Sequence, residues 1–80
     1  MNFKKIILRK LFRHRLIGGK HTAVENLTKG LPKHLIGKAK ETLNELIKEK
    51  FLIPKSTSYG LQISLNPEKV NEILKIIGEE

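Results

Sequence analysis

The sequence predicts a small α+β domain, mainly helical, in which three helices build a core, a β-hairpin follows and a fourth helix closes the chain. Three observations predict it. Apolar residues recur at helical spacing between Phe3 and Ile47; the pattern changes to alternation at Leu61, Ile63 and Leu65; and single glycines and prolines, not long linkers, separate the pieces. The 80 residues suffice for one domain spanning 1–80. A domain of that size hides only roughly 60 to 65 per cent of its unfolded surface, so its stability margin is thin.

The first helix is expected from about Asn2 to Arg15, with Asn2 as N-cap. Phe3, Ile6, Ile7, Leu8, Leu11 and Phe12 spread over more than half of its circumference, leaving Lys5, Arg9 and Arg13 as an exposed stripe. That arc is wider than one buried face requires. Gly18 and Gly19 are expected to stop the helix. Thr22 followed by Glu25 has the spacing of a capping box, in which a hydroxyl accepts from a free N–H of the first turn and the carboxylate reaches back. A short helix is therefore expected over about Ala23 to Lys29, burying Val24 and Leu27 and closing at Gly30. Pro32 suits the first turn of the next helix. That helix, about Lys33 to Lys50, is the clearest element, because Leu35, Ile36, Ala39, Leu43, Leu46 and Ile47 fall within about 120° of one face.

Beyond it, Leu52 to Lys55 reads as a short strand, Ser56 to Gly60 as a turn and Leu61 to Leu65 as a second strand with one buried face. Pro54 lacks an N–H, so the first strand is expected to be an edge strand or very short. Asn66 and Pro67 supply a cap and a first-turn proline for a last helix carrying Val70, Ile73, Leu74 and Ile77, and Gly78 ends it.

The formal net charge is +8, unevenly distributed. Residues 1–40 hold eight Lys and three Arg against Glu25 alone, a balance of +10, whereas residues 41–80 hold five Lys against seven Glu, a balance of −2. One basic face with a polyanion as its partner follows. The competing explanation, a Lys-, Glu- and Ile-rich surface of thermophile type, predicts both signs throughout. Twelve Leu and ten Ile make the core aliphatic, and the lack of cysteine leaves no disulfide or thiolate metal site. No apolar run approaches the roughly 18 to 20 residues that cross a membrane. Seven basic side chains between Phe3 and Leu16 are foreign to a signal-peptide core, so a cytoplasmic protein without membrane attachment is expected.

Helix, short helix, tight turn, long amphipathic helix, hairpin and helix is the order of a winged helix-turn-helix domain, and the chain resembles that family over nearly its whole length. The most specific stretch is Leu43-Asn44-Glu45-Leu46-Ile47-Lys48-Glu49-Lys50-Phe51-Leu52-Ile53, which looks like the end of a recognition helix entering the wing. The chain is similar to the short winged-helix proteins common in archaea. Lys50 departs from the pattern, standing where the family usually has Gly. Either the helix runs on into Phe51 or Lys50 is held left-handed at a cost on the order of 1 kcal/mol.

The resemblance implies DNA binding and a role in transcription regulation. The N-terminal turns of the third helix then enter the major groove, which makes Lys33, His34, Gly37, Lys38, Lys40, Glu41 and Thr42 the expected contacts. Lys33 and Lys38 could donate to guanine and Glu41 could accept from cytosine. Alternatively, Lys38 and Glu41 form a surface pair, and a lysine more often meets phosphate than a base. Gly37 either admits a sugar or backbone closely or is a plain surface glycine.

The wing tip Lys55, Ser56, Thr57, Ser58 and Tyr59 combines a cation, hydroxyls and an aromatic ring suited to phosphate or a minor groove, although turns use such residues anyway. Lys20, His21 and Thr22 precede the second helix, where free N–H groups favour phosphate, and Lys5, Arg9 and Arg13 add a further basic stripe. No cofactor, metal or catalytic site is expected: His14, His21 and His34 are not spaced as ligands, and no phosphate-loop or nucleophile signature is present. RNA binding in translation or RNA processing, and a protein-interaction role in a larger complex, are the alternatives, since fold alone does not choose. The wide apolar arc of the first helix, with Ile76 outside the stripe of the last, leads to the expectation of a homodimer through the terminal helices.

Overall fold

The computed structural model describes residues 2–78 and is α+β. Helix α1 (Phe3–Arg13) leads into a short strand β1 (Thr22–Ala23), a single-turn helix α2 (Glu25–Thr28) and the long helix α3 (Lys33–Lys48). Strands β2 (Leu52–Thr57) and β3 (Gly60–Leu65) follow, and a 3-10 turn (Pro67–Lys69) enters α4 (Val70–Ile77). The three strands form one antiparallel sheet in the order β1-β3-β2. This arrangement is compatible with the layout expected from the sequence.

The core lies where α1, α3, α4 and the inner face of the sheet meet. Phe3, Ile7, Leu8 and Leu11 come from α1, Ala39, Leu43 and Leu46 from α3, Leu52, Ile63 and Leu65 from the sheet, and Ile73 and Ile77 from α4. The periodicity of α3 is as expected, but that of α1 is used more fully than one buried face would be. Its neighbours take it up from several sides, so that Phe12 packs against the core and Ile6 alone among the apolar side chains of α1 is exposed, at 45%.

Both long helices end on a non-glycine residue in left-handed conformation. After α3, Lys50 has φ 70°. The Lys50 N–H donates to the Ile47 carbonyl at 3.1 Å and the Phe51 N–H to the Leu46 carbonyl at 3.0 Å, the paired closure of a Schellman motif. After α1 the same pair recurs at Arg15 (φ 57°): Arg15 N–H to the Phe12 carbonyl and Leu16 N–H to the Leu11 carbonyl, each at 3.0 Å. So α1 stops at Arg13, before Gly18 and Gly19, because Leu16 folds back over Leu11 and closes it.

The second helix is shorter than expected and has no capping box. Thr22 belongs to β1, opposite Ile63, and its Oγ1 accepts from the Asn26 Nδ2 at 2.9 Å. Val24 occupies the cap position with no side-chain bond. Pro32 is the N-cap of α3, one place before the first turn.

The hairpin is longer than expected and its turn shorter. The ladder runs from Leu52 opposite Leu65 to Thr57 opposite Gly60, leaving Ser58 and Tyr59 as the loop. Pro54 faces Ile63 in an edge strand, as expected. Counting from the hydrogen-bonded pair that closes a two-residue loop, Pro54 falls at a position whose nitrogen points away from β3. Ser64, which alternation puts on the open face, is buried, beside the place where Leu16 and Gly18 bond to Leu65. Gly18 is needed there, since it has φ 64° and a Cβ would stand 3.3 Å from the Pro67 ring.

Candidate nucleic-acid interface

The first turns of α3 offer an exposed surface. Lys33, His34, Gly37, Lys38, Lys40 and Glu41 are all exposed. Thr42 is a correction: it is 8% exposed, and its Oγ1 donates to the Lys38 carbonyl at 3.0 Å, a bond to its own helix that leaves it facing the core. Among the described residues no ion pair joins Lys38 to Glu41, so both charges meet solvent. A Cβ built on Gly37 meets nothing within 4 Å. Pro32 provides no side-chain cap, and the Leu35 N–H already donates to the Pro32 carbonyl at 2.9 Å, so the N–H groups of Lys33 and His34 at the start of α3 receive no side-chain cap.

Further along the same face stand Asn44 and Lys48, both exposed, seven and eleven residues after Gly37. The expected contacts end at Thr42 and omit them. The helical period that locates the buried side also contains them, because they lie opposite Ala39, Leu43 and Leu46.

At the sheet, β1 brings two separate candidates together. Its pairing with β3 puts the Lys20–Thr22 segment alongside the hairpin, and the Lys55 Nζ lies 3.4 Å from the His21 Nε2. Lys20 to Thr22 therefore run into a strand, not the start of a helix. Lys55, Ser56, Ser58 and Tyr59 are exposed, and Tyr59 is 93% so, in the loop of the hairpin. Thr57 is engaged in the turn: its Oγ1 donates to the Gly60 carbonyl at 2.7 Å and accepts from the Tyr59 N–H at 3.2 Å.

The expected stripe of Lys5, Arg9 and Arg13 is not a free surface along its length. Lys5 and Arg9 are half-buried, and the Arg9 Nη2 donates to the Ile77 carbonyl at 3.0 Å. They sit at the C-terminal end of α4, where the helix dipole favours cations. Arg13 is exposed, on the side of α1 turned away from α3. The stripe therefore does not join the surface made by the first turns of α3.

Among the described residues no helix is long and apolar enough to cross a membrane. No protein-family model, curated protein or solved structure matches this chain.

Proposed function

We propose that this chain is a winged helix-turn-helix domain, not an enzyme, that binds duplex DNA and regulates transcription. The first turns of α3 lie in the major groove and the β2–β3 hairpin rests on the backbone. The observation that carries this reading is the exposed, uncapped start of α3, where Lys33, His34, Lys38 and Lys40 surround a helix surface left open at Gly37. Free N–H groups and lysines suit phosphate, and the open strip leaves room for a groove wall. The α1-β1-α2-α3-β2-β3 order and the β1-β3-β2 sheet are compatible with the layout. Lys55 beside His21 gives the hairpin a second basic point.

Binding of a fluorescent duplex, measured as anisotropy across a salt series, tests the reading. The affinity is expected to fall linearly on logarithmic axes, and Lys33→Ala, Lys38→Ala and Lys55→Ala are each expected to reduce the slope by about 0.9 for every phosphate that the lysine neutralises. A flat salt response, or three variants indistinguishable from the parent, overturns the proposed face. Tighter binding to structured RNA than to any duplex selected from random sequence replaces DNA by RNA.

A further inference from the structure

Most of the positive charge is not on α3. Residues 3–15 carry Lys4, Lys5, Arg9, Lys10, Arg13 and Arg15 with no acid, a balance of +6, whereas residues 33–48 carry four Lys against Glu41 and Glu45, a balance of +2. Part of the α1 charge is used inside the molecule. Lys4 pairs with Glu49 at 2.9 Å, the Lys10 Nζ donates to the Asn26 carbonyl at 3.0 Å, and Arg9 caps the end of α4 through the Ile77 carbonyl. Arg13, His14 and Arg15 remain exposed at the C-terminal end of α1.

Their arrangement is concave. Arg9, Phe12, Arg13 and Arg15 line a surface depression of about 200 Å³. Arg15 lies over the Phe12 ring, 5.7 Å from its centroid, which fixes one guanidinium at the rim. An adjoining depression of about 380 Å³ shares Arg9 and Arg13 and adds Ile6, Lys10 and His14. No carboxylate of the described residues lines either one. Crowding guanidinium groups without an acid works against the compact state, and phosphate, which takes two parallel N–H bonds from a guanidinium, relieves it.

The place of this cluster decides what it can reach. Helix α1 packs on α3, α4 and the sheet through Phe3, Ile7, Leu8 and Leu11, and helical phase puts Arg13 on the opposite flank of α1 from these residues. Arg13 therefore does not share the exposed surface at the start of α3, where the first duplex is proposed to lie. The surroundings also select the occupant. A second copy would set this cluster against its own charges. An acidic protein partner would need an apolar centre to its interface, and Ile6 alone offers one here. A phosphate backbone needs only the charge.

We propose that Arg13 and Arg15, with Lys10 and His14 beside them, form a second nucleic-acid contact that holds the backbone of another duplex segment, so that one chain bridges two segments. The proposal rests on the DNA-binding reading above, and the following experiment separates the two. Two short duplexes, one carrying a donor dye and one an acceptor, are titrated with the full chain while anisotropy reports binding to each. The parent is expected to bring the dyes together with a maximum at intermediate protein concentration, because excess protein gives every duplex its own chain. Arg13→Gln with Arg15→Gln is expected to abolish the energy transfer, while affinity for a single duplex changes by no more than about threefold, as when a minor phosphate contribution is removed. Arg13→Gln alone, which leaves the left-handed position untouched, is expected to weaken the transfer and guards against a folding defect in the double variant.

Duplex binding without energy transfer overturns the bridge and leaves the DNA reading standing. No duplex binding at all overturns both. Transfer that persists in the double variant overturns the second contact. Affinity for polyglutamate that depends on Arg13 and Arg15, without transfer, replaces the second duplex by an acidic protein segment.

Discussion

Lys50 is held at φ 70° by its surroundings more than by its own preference. Besides the two closing bonds of α3, its carbonyl accepts from the Asn66 Nδ2 at 2.8 Å, and the Asn66 N–H donates to the Phe51 carbonyl at 2.9 Å. Glycine removes the steric cost of the left-handed conformation without touching these backbone bonds. Lys50→Gly is therefore expected to raise the unfolding free energy by about 1 kcal/mol in urea, with an unchanged m-value; no gain would mean that Lys50 carries no such strain. Gly37 poses the opposite question, because it is open in the free protein. Gly37→Ala is expected to stabilise α3 by about 0.5–1 kcal/mol. Under the proposed function it also lowers duplex affinity, since the added methyl stands in the groove. A stabilised variant with unchanged affinity makes Gly37 a plain surface residue.

Among the elements, legibility in the sequence follows length. The sixteen residues of α3 repeat the apolar period over several turns, whereas the alternation read in β3 is met only in part, with Ile63 and Leu65 buried as expected but Leu61 exposed and Ser64 buried. In contrast, β1 has two residues and α2 four, which is too little for any pattern to repeat. Thr22 shows the consequence: its spacing to Glu25 fits a cap, but the antiparallel pairing with β3 takes its backbone instead. Asn66 is legible as a cap, and its Oδ1 does accept from the Glu68 N–H at 3.0 Å. Its bond from Nδ2 to Lys50 joins the end of α3 to the chain after β3, a link between distant positions that no local pattern displays. Asn66→Ala is expected to cost about 1–2 kcal/mol in thermal or urea unfolding. Asn66→Asp, which keeps the cap acceptor and removes the donor, is expected to fall between parent and alanine variant. Equal destabilisation in both would assign the whole effect to the bond with Lys50.

Over the whole molecule, the positive charge is legible as belonging to the first half of the chain, but the faces it occupies are not. Helical phase fixes direction only relative to a helix's own core, and which neighbour covers which flank is set by packing. That is why Lys5 and Arg9 fall on a stripe in the sequence although the end of α4 takes them in the fold. The same packing bears on the expectation of a homodimer. Phe12, Leu74 and Ile76 are already packed against the core, and Ile6 stands exposed beside Lys10, Arg13 and His14. Light scattering at millimolar protein and moderate salt is expected to give the mass of a single chain; a mass of two chains would restore association through the terminal helices and require the charges around Ile6 to be screened or paired.

The edges of the sheet bear on how the protein behaves at high concentration. On one side β2 turns the nitrogen of Pro54 outward, so a foreign strand arriving there finds a missing donor in the middle of the row. On the other side β1 is only two residues long and gives way at once to α2. Neither margin offers a run of backbone long enough to template another chain. Edge-to-edge fusion of sheets between copies is therefore disfavoured at both margins.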